Sequence, residues 1–340
     1  MSPFFTILIR SITALYFFNA FAADTAASGN LCKANTTFTL DLFKSLGGKD
    51  KTSNVFFSPL SISSALSMLL LGAKGSTAKQ MREVEVYYVC TMYSLCLPYL
   101  VLPQCLKTKD CKDVHSSFAA LLQELNKPDS SYALGVANRL YGDSLRFQRE
   151  TRTVKMMWHK SKFKLRHVKE VSCQVIELPY KRGELSMLIF LPNDIEDNTT
   201  GLEKLEKQLT CETFMEWTRP DKMDLHQVEL KLPRFRVEEN YELSEVLKHM
   251  GMEDAFAQTR CDFSAMCPTK DLMLSKAVHK AFVDVNEAGT EAGAATFVLM
   301  ALGSSKGPQA SFIADHPFLF FIRHNATRAV LFAGRFCSEK

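Results

Sequence analysis

The chain has 340 residues, 46% of them hydrophobic, and this length is sufficient to bury a large core. Its 41 basic and 37 acidic residues give a formal net charge of +4, too mild an excess to indicate a nucleic-acid partner. The ten cysteines lack the spacing of zinc ligands with nearby histidines. We therefore predict no metal and no cofactor, and interpret most cysteines as small buried hydrophobic residues.

The first 22 residues predict a cleaved signal peptide. Arg10 precedes the apolar stretch 12–21, and Ala20-Phe21-Ala22 has the small-x-small form of a signal-peptidase site. The apolar stretch is too short to span a bilayer comfortably. The expected location is therefore extracellular, with the cytoplasm as the alternative. Three sequons become candidate glycosylation sites in a secreted chain: Asn35, Asn198 and Asn325.

Helical periodicity marks three segments of the first half of the chain. Residues 37–46 carry apolar side chains at helical spacing and end at Gly47-Gly48. Ser58-Pro59 indicates an N-cap followed by proline at the first helical position, which opens a helix over residues 61–71. Residues 114–126 show a further amphipathic pattern.

Residues 86–103 form a run of eighteen positions without a charge. By length this run could be a transmembrane helix. Pro98 and Pro103, with the clustered tyrosines, favour an atypical apolar insert instead, which extends over residues 86–110. No membrane association is predicted, but exposed apolar surface of this kind would promote aggregation.

The second half of the chain alternates strand and helix patterns, which predicts an α+β fold with helices around antiparallel-rich sheets. The densest basic run, residues 160–167, is interpreted as a solvated strand edge, with heparin binding as the alternative. Strands are predicted at 132–141, 174–178, 184–191, 316–324 and 329–336, and helices at 202–209 and 241–250.

Residues 287–297 are a nearly bulk-free run of Gly, Ala and Thr. A backbone of this composition suits insertion between two neighbouring strands, because Gly and Ala add almost no side-chain volume. On strand alternation, Thr290, Ala292, Ala294 and Thr296 share one face, and all four are small. A flexible linker is the alternative interpretation.

Six ordered motifs resemble the serpin family, nearest to its ovalbumin-like branch. They are Asn54–Ser63, Gly183–Pro192, Leu232–Phe235, Lys276–Glu287, His316–His324 and Ala329–Phe336. The resemblance covers about three quarters of the chain. It implies a single domain over residues 23–340, with three β-sheets, surrounding helices and an exposed reactive-centre loop at about residues 287–313.

The resemblance implies a monomeric serine protease inhibitor that acts as a suicide substrate. No catalytic constellation is visible, so an enzyme is not predicted. In the family, a protease cleaves the exposed loop, whose first part then inserts into the central sheet and carries the acyl-enzyme with it. The hinge of this loop is assigned to Glu287, Gly289, Thr290, Glu291, Ala292, Gly293, Ala294, Ala295 and Thr296.

The family's usual spacing from Glu287 places the reactive bond at Gly303–Ser304, whereas counting back from His316 places the cut after Ser304. Gly303 offers a specificity pocket nothing to hold, so Leu302 is the alternative. Leu302 would suit a chymotrypsin- or elastase-like protease, which is the expected partner.

The resemblance also assigns Ser58, Ser61 and His279 to a polar cluster beneath the slot that receives the loop. From its apolar neighbours alone, His279 would be interpreted as an ordinary core histidine. The asparagine that completes the cluster in the family has no counterpart here. One buried donor or acceptor is therefore expected to be unsatisfied.

The chain departs from the family pattern after Glu150. Val154–Met157 matches a family segment that lies far downstream, so roughly eighty residues are missing, on the family's length. They hold a helix that crosses the central sheet and the strand next to the slot. The alternatives to an inhibitor are therefore a non-inhibitory serpin-fold protein, at most a protease substrate or binding partner, and a defective isoform.

Overall fold

The computed structural model describes residues 25–48, 50–82, 155–193, 200–268, 272–286, 289–290 and 310–338. The predicted signal peptide, the insert 86–110, the segments 114–126 and 132–141, Asn198 and most of the loop lie outside these residues. The helices are α1 (Thr25–Gly47), α2 (Pro59–Gly72), α3 (Gly75–Arg82), α4 (Glu203–Gln208), α5 (Cys211–Trp217) and α6 (Ser244–His249).

The strands fall into two hydrogen-bonded sheets within the described residues. They are β1 (Val55–Phe57), β2 (Met156–Val168), β3 (Cys173–Pro179), β4 (Leu185–Pro192), β5 (Asp224–Pro233), β6 (Phe235–Glu242), β7 (Val278–Asn286), β8 (Gly289–Thr290), β9 (Ala310–Ile313), β10 (Phe318–His324) and β11 (Val330–Phe336). The larger sheet has the order β1-β11-β10-β4-β3-β2-β5-β9, and the smaller sheet has the order β6-β7-β8.

The long strand β2 explains why two sheets are described where three were expected. Residues 156–165 of β2 pair with β5, while residues 164–168 pair with β3. One continuous backbone therefore joins two groups of strands, β1-β11-β10-β4-β3 and β5-β9, that would otherwise count as separate sheets.

The larger sheet is buried on both faces at its central strand β4. Alternate residues of β4 divide between two apolar clusters: Leu188 and Phe190 pack with the helices, and Met187 and Ile189 pack with residues of β6 and β7. Because every second side chain of a strand points to the same face, this division places helices on one side and the smaller sheet on the other.

Most sequence-predicted elements are present close to their expected bounds. Ser58 is the N-cap of α2, where its side chain accepts a hydrogen bond from the Ser61 N–H, and Pro59 is the first helical residue. Strands β3, β4, β10 and β11 and helix α4 likewise agree with the prediction. None of the described helices is long and apolar enough to cross a membrane.

Two predicted helices have different bounds. Helix α1 starts at residue 25 rather than 37, since packing of Leu31 and Ala34 in the core stabilises a segment of weak apolar periodicity. The helix predicted from Tyr241 is wrong at its start. Tyr241 and Glu242 continue strand β6, where they pair with His279 and Val278, and α6 begins only at Ser244.

Candidate functional site

The hinge of the loop begins as a short strand beside β7. Thr290 pairs with Val285 and Gly289 pairs with Asn286, both antiparallel. These two are the predicted hinge residues that the structure describes. Glu287, the hinge residues 291–296 and the predicted reactive bond, with its alternative Leu302, lie outside the described residues.

Strand β7 carries a buried row and an exposed row of side chains. His279, Ala281, Val283 and Val285 face the core, and each is less than 8% exposed. The intervening Phe282 is 54% exposed. A strand that joined β7 would therefore contribute every second side chain to a buried face and the others to the outer face.

The structure brings Ser58, Ser61 and His279 together at the junction of β1 and α2. The Ser58 N–H donates to His279 Nε2 at 2.9 Å, and the Ser58 hydroxyl donates to the Leu331 carbonyl at 2.9 Å. The same hydroxyl oxygen accepts from the Ser61 N–H at 3.2 Å. The cluster thus connects β7, β11 and the start of α2.

His279 has one satisfied ring nitrogen and one unsatisfied nitrogen. Because Nε2 accepts a hydrogen bond, the neutral ring carries its proton on Nδ1. Nδ1 is buried and has no hydrogen-bond partner among the described residues. Burial also lowers the pKa of His279 to about 4, so the ring is neutral at neutral pH. An unsatisfied donor of this kind typically costs about 1–3 kcal/mol, and it is the defect expected without the asparagine.

Tyr241 completes the same junction, although the sequence analysis did not identify it. It lies opposite His279 on β6, and its hydroxyl oxygen accepts from the Phe56 N–H at 3.1 Å. Burial raises the pKa of Tyr241 above its ordinary value, so the phenol stays protonated. The amide of Phe56 in the edge strand β1 and that of Ser58, the residue after β1, are therefore satisfied by the Tyr241 hydroxyl and by His279 Nε2.

Two of the three candidate glycosylation sites do not fit that role. Asn35 is 3% exposed within α1, and its Oδ1 accepts from the Val330 N–H at 2.8 Å. The amide nitrogen of Asn325 donates to the Gly183 carbonyl and to the Ser186 hydroxyl, each at 2.8 Å. Attachment of a glycan would require the Asn35 side chain to leave the core, and it would take one of the two Asn325 N–H groups that donate these bonds.

The described cysteines are free thiols, and Cys32, Cys173 and Cys261 are buried. Burial raises the pKa of Cys32 to about 11 and that of Cys337 to about 12, which disfavours the reactive thiolate. Within the described residues, no group of His, Cys, Asp or Glu side chains could hold a metal ion.

A helix-covered sheet, a second sheet beneath it, and a small-residue segment that begins to pair beside β7 define the serpin fold. The family described as Serpin (serine protease inhibitor) matches residues 33–150 and 146–339, and the chain belongs to this family. Among solved structures, crystal structures of maspin and of uncleaved ovalbumin align with TM-scores of 0.75 and 0.70, at 27% and 25% identity. These alignments cover 92% and 91% of this chain, and 99% and 100% of those chains.

Curated relatives agree with the family assignment. The leukocyte elastase inhibitor of Equus caballus is 37% identical over 397 residues, which covers 91% of this chain and 99% of the relative. The human leukocyte elastase inhibitor is 35% identical and human serpin B8 is 37% identical, with the same coverage of this chain.

The comparisons confirm that an internal segment is missing. The family match is divided into two parts that meet at residues 146–150. An alignment of 397 positions that contains 91% of 340 residues, or about 309, leaves about 88 positions without a residue of this chain. The chain therefore carries both ends of the family pattern without the part between them.

The prediction of a secreted glycoprotein with a signal peptide is wrong. The leukocyte elastase inhibitors and serpin B8 are serpins of clade B, which are intracellular. This finding favours the alternative location, the cytoplasm. The burial of Asn35 and the bonded amide of Asn325 are consistent with the absence of glycans at these two positions.

Proposed function

We propose that residues 287–313 are the bait loop for a chymotrypsin- or elastase-like serine protease. Serpins are serine protease inhibitors, and inhibitory members act as suicide substrates. Relatives named leukocyte elastase inhibitor support an elastase-like target. The proposed reactive bond is Gly303–Ser304, with cleavage after Leu302 as the alternative. The protease supplies the catalytic groups, so this chain acts as a monomeric inhibitor rather than as an enzyme.

The pairing of β8 with β7 is the observation that carries this proposal. Thr290 lies opposite Val285 in an antiparallel ladder. If the loop continued in the same register, Ala292 would lie opposite Val283 and Ala294 opposite Ala281. Those β7 residues form the buried row. The small side chains of the loop therefore fall where volume is most restricted.

The same register places Thr296 opposite His279. Directly opposed residues of an antiparallel pair have Cβ atoms about 4.5–5.5 Å apart, so the Thr296 hydroxyl could accept from the unsatisfied Nδ1–H. Glu291 would fall on the outer face opposite Asp284, where water can solvate both carboxylates. In this register, the small hinge side chains face the buried row of β7 and the charged Glu291 faces its outer row.

The proposal is tested by mixing the chain with chymotrypsin and with leukocyte elastase. We expect cleavage after Gly303 or Leu302, with most of the chain released in cleaved form and only a small fraction held in a complex that survives hot detergent. The complex should form with more than one inhibitor consumed per protease, since one neighbour of the inserted strand is missing. Mass spectrometry of the released fragment identifies the bond.

A pair of hinge variants separates insertion from cleavage. Thr290→Arg should abolish the complex but leave loop cleavage unchanged, because a guanidinium would be forced into the buried row. Glu291→Arg, one residue further and on the outer face, is the matched control and should retain the complex. Cleavage without any complex for the wild-type chain would instead support the alternative, a defective or non-inhibitory serpin that is only a substrate. The missing segment is the reason why we expect the complex to be only a small fraction of the product.

A further inference from the structure

One exposed face of the larger sheet lies beside the base of the reactive loop. Side chains at the even positions 156–162 of β2, the odd positions 225–231 of β5 and the odd positions 311 and 313 of β9 point away from the core. We call these outward side chains the β2–β5–β9 face. Trp158 pairs across the strands with Lys231, Lys160 with Glu229, and Lys162 with Gln227.

Large apolar side chains on this face are open to solvent. Trp158 is 62% exposed and Leu225 is 63% exposed. The indole N–H of Trp158 donates to Glu229 Oε1 at 3.1 Å, which holds the ring in one orientation. Exposed aromatic residues that are already oriented are typical of protein-binding surfaces, where Trp is enriched among energetically dominant residues.

The charge of this face is positive. Glu229 is offset by Lys231, whose Nζ lies 3.5 Å from its Oε1, and Lys164 lies 3.2 Å from Glu177 of β3. In the described part of the chain, Lys160 and Lys162 form no salt bridge, and both are exposed. Lys160, Lys162 and Lys231 thus share this face with the single carboxylate of Glu229, which lies opposite Lys160. The resulting excess of positive charge close to Trp158 complements an acidic apolar surface.

The position of the face limits what can contact it. Strand β9 starts at Ala310 and runs parallel to β5, with Ala310 opposite Val228. The proposed reactive bond precedes Ala310 by six residues, a contour length of about 20 Å at most. A protease bound at that bond is therefore within reach of side chains on β2 and β5.

We propose that the β2–β5–β9 face is an accessory binding site for the protease that attacks the loop. It selects proteases with an acidic surface beside their active site. Trp158 and Leu225 pack against apolar atoms of that surface, and Lys160 and Lys162 accelerate its approach. This inference rests on the proposed function, since it requires a protease to engage the loop.

Two forms of one protease, with the same active site but different surface charge, test this accessory site. We would compare chymotrypsin with chymotrypsin whose lysines carry succinyl groups, and measure kcat/KM for loop cleavage together with the rate of complex formation. At low ionic strength the wild-type chain should favour the succinylated enzyme about tenfold. Lys160→Glu/Lys162→Glu should remove this preference, and physiological salt should reduce it.

Control variants show whether the preference depends on the lysines of the β2–β5–β9 face or only on the net charge of the chain. Lys44→Glu/Lys204→Glu changes the same number of charges on helices α1 and α4 and should keep the preference. Trp158→Ala should slow both proteases about tenfold at any ionic strength. The proposal would be overturned if both double-lysine variants lost the preference for succinylated chymotrypsin equally. It would also be overturned if the wild-type chain showed no such preference.

Two further outcomes can be distinguished from an accessory protease site. Retention on heparin that depends on Lys160 and Lys162, without any protease preference, would assign the face to a polyanion and refute a protease site. Cleavage is measured as well as complex formation, so a chain that is cut but never traps the protease refutes inhibition and still tests this face.

Discussion

His279 shows how a single residue records the missing segment. Its Nε2 is held by the Ser58 N–H, while its Nδ1 is buried with no partner among the described residues. The family pattern supplies a hydrogen-bond acceptor from a part of the fold that this chain lacks. Burial without this partner disfavours the charged imidazolium more strongly than it disfavours the neutral ring.

We predict that His279 makes stability fall in mildly acidic solution. Its pKa is about 4 in the folded chain against an ordinary value of 6.5. Between these values the unfolded chain binds a proton that the folded chain does not, so the free energy of unfolding decreases as pH falls through this window. The full loss at pH 4 and below is roughly 3 kcal/mol, and none of it is present above pH 7.

Urea unfolding at pH 7 and pH 4, followed by fluorescence of the buried Trp217, measures this effect. His279→Gln keeps an acceptor for the Ser58 N–H but does not titrate, so it should lose less stability between the two pH values. Equal losses in wild type and variant would show that His279 is not responsible.

At the scale of elements, the joint between β1 and the smaller sheet is made by side chains rather than by a strand ladder. Strand β1 pairs with β11 on one edge. On its other side, the Tyr241 hydroxyl accepts from the Phe56 N–H, and His279 Nε2 accepts from the N–H of Ser58, the residue after β1. Phe56 also stacks on Phe320 with ring centroids 5.8 Å apart, so the joint is apolar around its two polar contacts.

We expect Tyr241→Phe to destabilise the chain by about 1–3 kcal/mol. The substitution leaves the ring in place but removes the acceptor for the Phe56 N–H, which then stays buried and unpaired. The midpoint of urea unfolding should decrease with an unchanged slope. Trp158→Phe, which removes a polar group from an exposed ring, should change stability by less than about 0.5 kcal/mol. A change of similar size for both variants would contradict this account.

At the scale of the whole molecule, the chain has the proposed reactive loop but lacks a segment needed to accommodate the loop after cleavage. The start of the proposed loop, Gly289–Thr290 of β8, already pairs with β7. An inserted strand needs hydrogen-bonding neighbours on both sides, because buried amides left unpaired are costly. On the resemblance to the family, the strand that would supply the second neighbour belongs to the segment that the chain lacks.

We predict that cleavage of the loop raises the melting temperature of this chain little or not at all. In an inhibitory serpin, cleavage releases the loop into the sheet and stabilises the fold strongly. Here the inserted strand would have one neighbour, so little folding energy is available. Calorimetry before and after cutting within residues 298–305 measures the change.

The human leukocyte elastase inhibitor, cleaved in the same way, is the control for that measurement. It should show a large rise in melting temperature. A comparably large rise in this chain would demonstrate a complete slot and would refute the role given to the missing segment. Aggregation promoted by residues 86–103 would appear in both cut and uncut samples of this chain and is scored separately.

Much of the architecture could be predicted from local patterns in the sequence. The Ser58-Pro59 start of α2, strands β3, β4, β10 and β11, and the small side chains of the hinge each depend on residues close together along the chain. Capping, alternation and side-chain volume are local properties, so a single sequence reveals them. The motif order was sufficient to indicate the family and the gap after Glu150.

Other features depended on contacts between residues far apart in the sequence. Tyr241 has the periodicity of a helix start, yet pairing with His279 makes it part of a strand. Asn35 and Asn325 fit a glycosylation sequon, but Asn35 is buried and the Asn325 amide is engaged. Burial, cross-strand register and the unsatisfied Nδ1 of His279 arise when distant segments pack together. The sequence therefore determined the elements and the family, whereas the tertiary structure decided which polar groups are paired, because hydrogen-bond partners are set by proximity in space.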